Sequence, residues 1–185
     1  MSVKTKRIYL TGFMTSGKST IGPILANSLG WDYYDIDREI EADNGKTVVK
    51  IFETEGEDYF RDQETKKLTE LSQKDNLIIA LGGGTIVNEE NFKIIKATGK
   101  LIYLKVTPEA IYQRIKHKLD RPLFKDLVLN EKPEEEFLKR IKDILVERSS
   151  YYESADITID TGQQRIGLTI DNLVKKISRM LNEEN

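Results

Sequence analysis

The residues with the clearest chemistry lie near the start of the chain, in the run GFMTSGKST at positions 12–20. The run matches G-x-x-x-x-G-K-[ST], in which glycines allow successive backbone N–H groups to point at phosphate oxygens. In this pattern Lys18 supplies a positive charge to the β- and γ-phosphates, and the hydroxyl of Ser19 can bind Mg²⁺. The predicted nucleotide-phosphate site comprises Met14, Thr15, Ser16, Gly17, Lys18, Ser19 and Thr20.

The surroundings of this phosphate-binding loop (P-loop) favour the same interpretation. It directly follows the strand-like residues 8–11 and runs into a predicted helix over residues 18–29, whose N-terminus would attract phosphate. The alternative is a glycine-rich turn with an incidental lysine, and a chance match in a chain of this length is expected about once in a hundred. The P-loop alone does not distinguish motors, switches and small-molecule kinases.

Two carboxylates, Asp35 and Asp37, follow the second strand-like segment. Ligands bind at the carboxyl ends of strands in open α/β sheets, so both acids are expected beside the P-loop. One could help to hold Mg²⁺, and the other could take the proton of an attacking hydroxyl. If both point the same way along an extended strand, they lie two residues apart on one face. Either could instead simply cap the helix that follows.

Glycines and arginines form the remaining candidate groups. Gly82, Gly83 and Gly84 follow the third strand, where close approach of a ligand, a positive φ or an ordinary flexible turn would each explain them. Arg61 and Glu64 are three residues apart on a predicted helix, and spacing alone favours a surface ion pair over substrate binding. Arg121 lies in an irregular stretch, where it could clamp a phosphate or be a solvated charge, while Arg114 and Arg148 are uninformative alone.

The elements that must position these residues alternate between short apolar strands and longer helices. Strand-like segments occupy residues 8–11, 77–81 and 101–106, with weaker ones at 33–35 and 156–159; predicted helices occupy 57–72, 89–98, 134–152 and 166–181, and another begins at Thr107-Pro108. This alternation predicts a doubly wound α/β sheet covered by helices on both faces. Residues 117–136 do not fit the pattern and are expected to be a lid or a disordered loop.

Composition limits the function classes. The chain has 185 residues, 29 Lys plus Arg against 31 Asp plus Glu, one histidine and no cysteine. Near-neutral charge argues against a dedicated nucleic-acid or anionic-membrane protein, and no apolar run is long enough for a membrane span. Absent cysteine and scarce histidine exclude disulfides, thiolate sites and multi-histidine zinc sites. We expect a single-domain cytoplasmic protein whose chemistry comes from Lys, Arg, Asp and Glu side chains and from the backbone.

The order of the motifs resembles the shikimate kinases, small P-loop kinases of aromatic amino acid biosynthesis, over nearly the whole chain. The resemblance rests on the P-loop with Ser19-Thr20-Ile21-Gly22, on Asp35-x-Asp37, and on Ile51-Phe52 followed by Phe60-Arg61-x-x-Glu64. It continues through Leu81-Gly82-Gly83-Gly84, Asp120-Arg121-Pro122-Leu123 and Glu147-Arg148-x-x-x-Tyr152. It implies a three-layer P-loop kinase fold with a five-stranded parallel sheet of order 2-3-1-4-5, a mobile lid at about 117–133 and a substrate-binding segment at about 36–64.

The resemblance also implies an activity: phosphorylation of the 3-hydroxyl of shikimate by ATP, with Mg²⁺, in a monomeric enzyme. Catalytic roles fall to Lys18, Asp37 and Arg121, and Ser19 and Asp35 would bind the metal. Arg114 and Arg121 would contact ATP, Arg114 near the adenine and Arg121 at the phosphates. Shikimate would be bound by Asp37, Arg61, Gly82, Gly83, Gly84 and Arg148.

Two departures from the family pattern are visible. Thr15 stands where the family often has a third P-loop glycine, which restricts the backbone there but leaves the N–H groups in place. Residues 161–165, expected to pack against adenine, are only loosely similar. The rival hypotheses are a P-loop kinase of another small molecule, such as gluconate or a nucleoside monophosphate, and a non-catalytic nucleotide switch.

Overall fold

A central parallel sheet organises the computed structural model, which describes residues 7–119, 121–162 and 165–183. Its strands are β1 (Arg7–Thr11), β2 (Asp32–Asp35), β3 (Leu77–Ala80), β4 (Lys100–Lys105) and β5 (Ile157–Asp160). They pair in the order β2-β3-β1-β4-β5, and every pair is parallel. The predicted sheet and its order 2-3-1-4-5 are therefore confirmed.

Helices cover both faces of this sheet, as predicted. The described helices are α1 (Lys18–Leu29), α2 (Ile36–Asn44), α3 (Val48–Thr54), α4 (Glu57–Leu71), α5 (Glu89–Thr98), α6 (Pro108–Ile115), α7 (Lys125–Leu129), α8 (Glu134–Glu147), α9 (Ser149–Glu153) and α10 (Ile166–Glu183). Short 3₁₀ turns lie at Thr85–Val87 and Pro122–Phe124. Within the described residues, none of these helices is long and apolar enough to cross a membrane.

Side-chain alternation along the strands builds two cores, one on each face. Ile8 and Leu10 of β1 pack with α1 and α10, while Tyr9 between them packs with the helices of the other face. Successive strand residues point to opposite faces, so a continuous apolar strand is buried on both. A third cluster joins Phe13 of the P-loop to α6, α7 and α8.

Two expectations about the second half of the chain are wrong in detail. The predicted irregular stretch 117–136 contains the 3₁₀ turn at Pro122–Phe124, helix α7 and the start of α8, because Phe124 and Leu127 are buried against the third cluster. The single helix predicted over 134–152 is interrupted at Arg148, whose backbone has φ −99° and ψ 0°. Arg148, at that break, lines a cleft at the carboxyl edge of the sheet.

Candidate active site

A cleft of about 730 Å³ lies at the carboxyl edge of the sheet, the place where ligands bind in open α/β folds. Its volume falls within the range of small-molecule sites. It is walled by the P-loop, the end of β2, helices α3 and α4, the glycine triplet and the segment around Arg121. Thirteen of the predicted site residues line it: Met14, Thr15, Gly17, Lys18, Ser19, Thr20, Asp35, Asp37, Arg61, Gly83, Gly84, Arg121 and Arg148.

Three predicted site residues lie outside this lining. Ser16 is 1% exposed, beneath the P-loop backbone. Gly82 is buried behind the cleft wall, where it separates other site residues. Arg114 is exposed on α6 and contacts the P-loop from outside, where Nη1 donates to the carbonyl of Thr15 at 2.6 Å.

The P-loop is shaped by its glycines and by Lys18. A Cβ atom added at Gly12 would lie 2.5 Å from the carbonyl oxygen of Leu104, so only glycine fits against β4, and φ is +151° there. Nζ of Lys18 donates to the carbonyl of Gly12 at 2.7 Å. Burial lowers the pKa of Lys18 to about 8, even though the nearby Asp37 and Asp35 carboxylates act to raise it. An ammonium group with so little solvation is ready to pair with an incoming anion.

The two acids reach the cleft by different routes. Asp35 is the last residue of β2 and caps α2, its carboxylate accepting from the N–H of Arg38 at 3.4 Å. Asp37 is in the first turn of α2, so the idea that both project from one extended strand is wrong. Both nevertheless line the cleft. For Asp35, therefore, capping and a site position are compatible.

Asp37 sits in an environment suited to proton transfer. Burial, together with the negative charges of Asp35 and Glu64, raises the pKa of Asp37 to about 7, while Lys18 opposes the shift. A carboxylate with a pKa near neutrality is a much stronger base than a solvated one and is still largely ionised at slightly alkaline pH. The environment of Asp37 therefore fits a general base.

The glycine triplet is a spacer between site residues. A Cβ atom added at Gly82 would lie 2.6 Å from Oδ1 of Asp37, and one added at Gly84 would lie 2.6 Å from Nη1 of Arg61. At Gly83 the added atom would lie 3.7 Å from Nη1 of Arg148. None of the three has a positive φ, so that explanation for the glycines is wrong. They allow an acid and two arginines to approach one backbone segment.

Arg61 pairs with the buried Glu64, which is not the surface ion pair that spacing alone favours. Its Nη1 donates to Oε2 of Glu64 at 2.7 Å, and the Glu64 side chain is completely buried. The other carboxylate oxygen of Glu64 accepts a short hydrogen bond from the hydroxyl of Thr85. Arg61 also stacks near the Phe60 ring, 5.5 Å from its centroid. The guanidinium is thus fixed in position with its remaining surface toward the cleft.

Arg148 is the second cation of this wall. It lies at the break between α8 and α9 and lines the cleft near Gly83, next to the glycine that Arg61 approaches. Its buried Nε has no hydrogen-bond partner among the described residues. Buried donors are normally paired, so a ligand with acceptor oxygens suits this position.

The oxygen donors present fit a magnesium ion that shares its coordination with a nucleotide. The Ser19 hydroxyl and the Asp35 carboxylate line the same cleft. The part of the chain that the structure describes has no group of three or more acidic, histidine or cysteine side chains that could hold a metal alone. Mg²⁺ commonly binds to one or two protein oxygens, with phosphates and water as the other ligands.

Sequence reasoning did not identify several residues that build the site. Thr85 bonds to Glu64 from the turn after the glycine triplet, and Glu57 accepts from Nη2 of Arg61 at 2.9 Å. Thr161, expected near adenine, donates to the carbonyl of Ser16 at 2.9 Å. The contacts of Thr85 and Thr161 have no short-range signature, whereas Glu57 lies four residues before Arg61 on α4, a spacing that places the two side chains together. Gln163 and Gln164, also expected near adenine, and Asp120 of the lid motif lie outside the described residues.

Comparisons with known proteins point to one family. A family model described as shikimate kinase matches residues 14–181. A shikimate kinase of Chlorobium phaeovibrioides is 46% identical over 179 residues, covering 96% of this chain and 90% of the relative. One from Chlorobaculum tepidum is 44% identical, covering 93% and 90%.

Solved structures agree with the sequence relatives. The shikimate kinase from Acinetobacter baumannii in complex with shikimate superposes with a TM-score of 0.80 at 35% identity, covering 97% of this chain and 94% of that one. A gluconokinase from Sinorhizobium meliloti superposes with a TM-score of 0.58 at 12% identity, covering 97% and 95%, and so shares the fold alone.

Proposed function

The chain belongs to the shikimate kinase family and is an ATP-dependent kinase of shikimate, and we propose a role in binding or catalysis for the site residues of its cleft. The observation that carries this proposal is the convergence of the P-loop, Asp37 and two arginines on one cleft around the glycine triplet. The γ-phosphoryl group of ATP passes to the 3-hydroxyl of shikimate. A bond forms between the hydroxyl oxygen and the γ-phosphorus, the bond from that phosphorus to the β–γ bridging oxygen breaks, and ADP leaves.

The P-loop, residues 14–20, holds the nucleotide phosphates through those of its backbone N–H groups that are not already bonded within the loop, and Lys18 adds a positive charge. Lys18 is folded onto the carbonyl of Gly12 at 2.7 Å, and it turns from there to the β- and γ-phosphates. Because its ammonium group is poorly solvated in the cleft, the attraction between Lys18 and the phosphates is stronger than it would be in water. Phosphoryl transfer depends chiefly on such positioning and charge neutralisation.

Asp37 holds the 3-hydroxyl and takes its proton as the oxygen attacks. Its raised pKa and its place beside Gly82 support this role. Its neighbour Asp35 lies two residues away at the end of β2, toward the metal side of the cleft.

Arg61 and Arg148 bind the carboxylate of shikimate. They approach adjacent glycines of the triplet, Gly84 and Gly83, and Arg61 is fixed by Glu64. Guanidinium groups recognise carboxylates through paired hydrogen bonds with defined geometry. Gly83 is exposed and offers its backbone to a substrate hydroxyl, while Gly82 and Gly84 keep the approach open.

The Ser19 hydroxyl and the Asp35 carboxylate would hold the Mg²⁺ that accompanies ATP. When bound, it neutralises negative charge on the β- and γ-phosphates. Both residues line the cleft beside Lys18.

The described residues of the predicted lid, 117–119 and 121–133, act as a lid that carries Arg121 toward the phosphates. Arg121 lines the cleft, and Leu123 two residues later is 46% exposed at its mouth. Closing such a lid over both substrates excludes water, which would otherwise compete for the phosphoryl group. Arg114 lies on the outside of the P-loop. We therefore assign it only a contact at the edge of the nucleotide site, near adenine.

The enzyme acts as a monomer in the cytoplasm. All the roles proposed above fall on described residues of one chain, which is compatible with a monomer. The cytoplasm supplies ATP and favours proteins without disulfides, and this sequence has no cysteine.

Removal of Arg148 tests the division of roles directly. Arg148→Ala should weaken shikimate binding about tenfold or more, measured by isothermal titration calorimetry, because a charge-assisted contact is lost. ATP binding should change much less. Arg179→Ala on α10, outside the cleft, is the matched control. Unchanged shikimate affinity for Arg148→Ala would remove this residue from the substrate site.

A further inference from the structure

Thr15 holds an unfavourable backbone conformation in the middle of the P-loop. Its φ is +65°, in the left-handed region. β-Branched residues rarely occur there, because the side chain crowds the backbone, whereas glycine occupies this region about as readily as the right-handed one. Strained residues persist only when their surroundings hold them in place.

Two side chains hold this part of the P-loop from outside. Nη1 of Arg114, on α6, donates to the carbonyl of Thr15 at 2.6 Å. The hydroxyl of Thr161, after β5, donates to the carbonyl of Ser16 at 2.9 Å. Successive carbonyls are therefore held by two different elements, which approach from distant parts of the sequence.

These contacts determine the direction of the following amides. A trans peptide unit is planar, so its N–H points away from its own C=O. Holding the carbonyls of Thr15 and Ser16 outward turns the N–H groups of Ser16 and Gly17 toward the inner side of the loop. The N–H of Ser16 accordingly donates across the loop to the carbonyl of Phe13 at 3.1 Å.

We propose that Arg114 and Thr161 are positioning residues that brace the P-loop for polyphosphate binding, and that Arg114 is needed because position 15 is threonine. The proposal rests on nucleotide-phosphate binding by the P-loop, as set out above, and adds residues that act through the loop backbone. Without Arg114, Thr15 leaves the left-handed region and its peptide unit rotates. Glycine at position 15 has no comparable tendency to leave that region.

The brace differs from a direct contact of Arg114 with the nucleotide in a measurable way. A guanidinium that attracted phosphate by charge, or that stacked on adenine, would contribute equally whatever residue stood at position 15. A brace acts through Thr15, so its effect depends on that residue. Inorganic tripolyphosphate is the suitable probe, because it engages the P-loop and has no adenine.

The experiment is a double-mutant cycle with tripolyphosphate binding measured by calorimetry. Arg114→Ala in the Thr15 protein should weaken binding about tenfold, the value of one charge-assisted hydrogen bond. In the Thr15→Gly protein the same substitution should cost less than about twofold, within the range of a lost surface contact. Equal losses in both backgrounds, a larger loss with glycine, or no loss in either would overturn the proposal.

Thr161→Val tests the proposal without changing the charge of the protein, since it removes the hydroxyl and keeps the side-chain shape. This variant should weaken tripolyphosphate binding, whereas Thr161→Ser should bind as the wild type does. The control is Thr158→Val, a change of the same type at an exposed position on β5. Wild-type affinity in Thr161→Val would overturn the role of Thr161. Thermal unfolding of each ligand-free variant identifies any that fail to fold. If Thr161→Val or Arg114→Ala does not fold, binding by Thr161→Ser and by the Thr15→Gly variants still tests the proposal. If the wild type bound no tripolyphosphate, the proposed function itself would fail.

Discussion

Asp37 is the residue on which the chemistry depends most directly. Asp37→Asn keeps the size and removes the base, and we expect kcat to fall more than tenfold, in line with the usual contribution of general-base catalysis. The thermal unfolding temperature should stay near that of the wild type, because the side chain lines a cleft. Initial-rate kinetics with saturating ATP measure the effect.

The control for this change is Asp171→Asn, a conversion of the same type at an exposed position on α10. It should leave kcat unchanged. Full activity in Asp37→Asn would mean that the hydroxyl loses its proton without help from this carboxylate.

Gly84 is the residue whose small size the substrate site needs most. Gly84→Ala would place a methyl group 2.6 Å from Nη1 of Arg61, so the guanidinium must move or the backbone must shift. Because Arg61 is fixed by the buried Glu64, we expect KM for shikimate to rise severalfold while kcat changes less. Steady-state kinetics with varied shikimate provide the measurement.

Gly167→Ala is matched to this variant, since a Cβ atom there meets nothing within 4 Å. It should leave both kinetic constants unchanged. A Gly84→Ala enzyme with wild-type KM would show that Arg61 tolerates displacement or does not bind the substrate.

At the scale of elements, the segment carrying Arg121 is anchored by one aromatic side chain. Phe124 is completely buried, with its ring centroid 6.1 Å from that of Phe13 in the P-loop and 6.3 Å from that of Phe137 on α8. We expect Phe124→Ala to lower the free energy of unfolding by about 3–5 kcal/mol, the usual cost of such a cavity. Urea denaturation measures it.

The neighbouring Leu123→Ala is the control for stability, because Leu123 is 46% exposed. Its free energy of unfolding should change by less than about 0.5 kcal/mol. Similar small losses in both variants would show that Phe124 does not anchor the segment.

Elements with local signals could be predicted from the sequence, and elements defined by tertiary contacts could not. Helices α1 and α5 follow their predicted bounds, since Gly30 ends the first in a left-handed conformation and Asn88 caps the second. The break at Arg148 and the helix α7 have no such local signal. Both depend on packing against distant segments, which composition and periodicity do not report.

At the scale of the molecule, topology explains why the site could be located before its contacts were known. In a parallel sheet of order 2-3-1-4-5, the ends of β1, β2 and β3 are neighbours, so the P-loop, Asp35, Asp37 and the glycine triplet necessarily lie close together. The burial of Glu64 could not be foreseen. Its spacing from Arg61 is equally common in exposed helices, and the groups that meet its carboxylate, Gly82 and Thr85, are remote in sequence.

The most direct test of shikimate phosphorylation in this cleft is the release of ADP with different acceptors. With ATP and Mg²⁺ present, we expect ADP release to require shikimate, and gluconate or a nucleoside monophosphate to give no more than the background rate. The product should be shikimate 3-phosphate, identified by mass spectrometry and phosphorus NMR. Turnover that is absent with shikimate, or that is faster with another acceptor, would contradict the assignment.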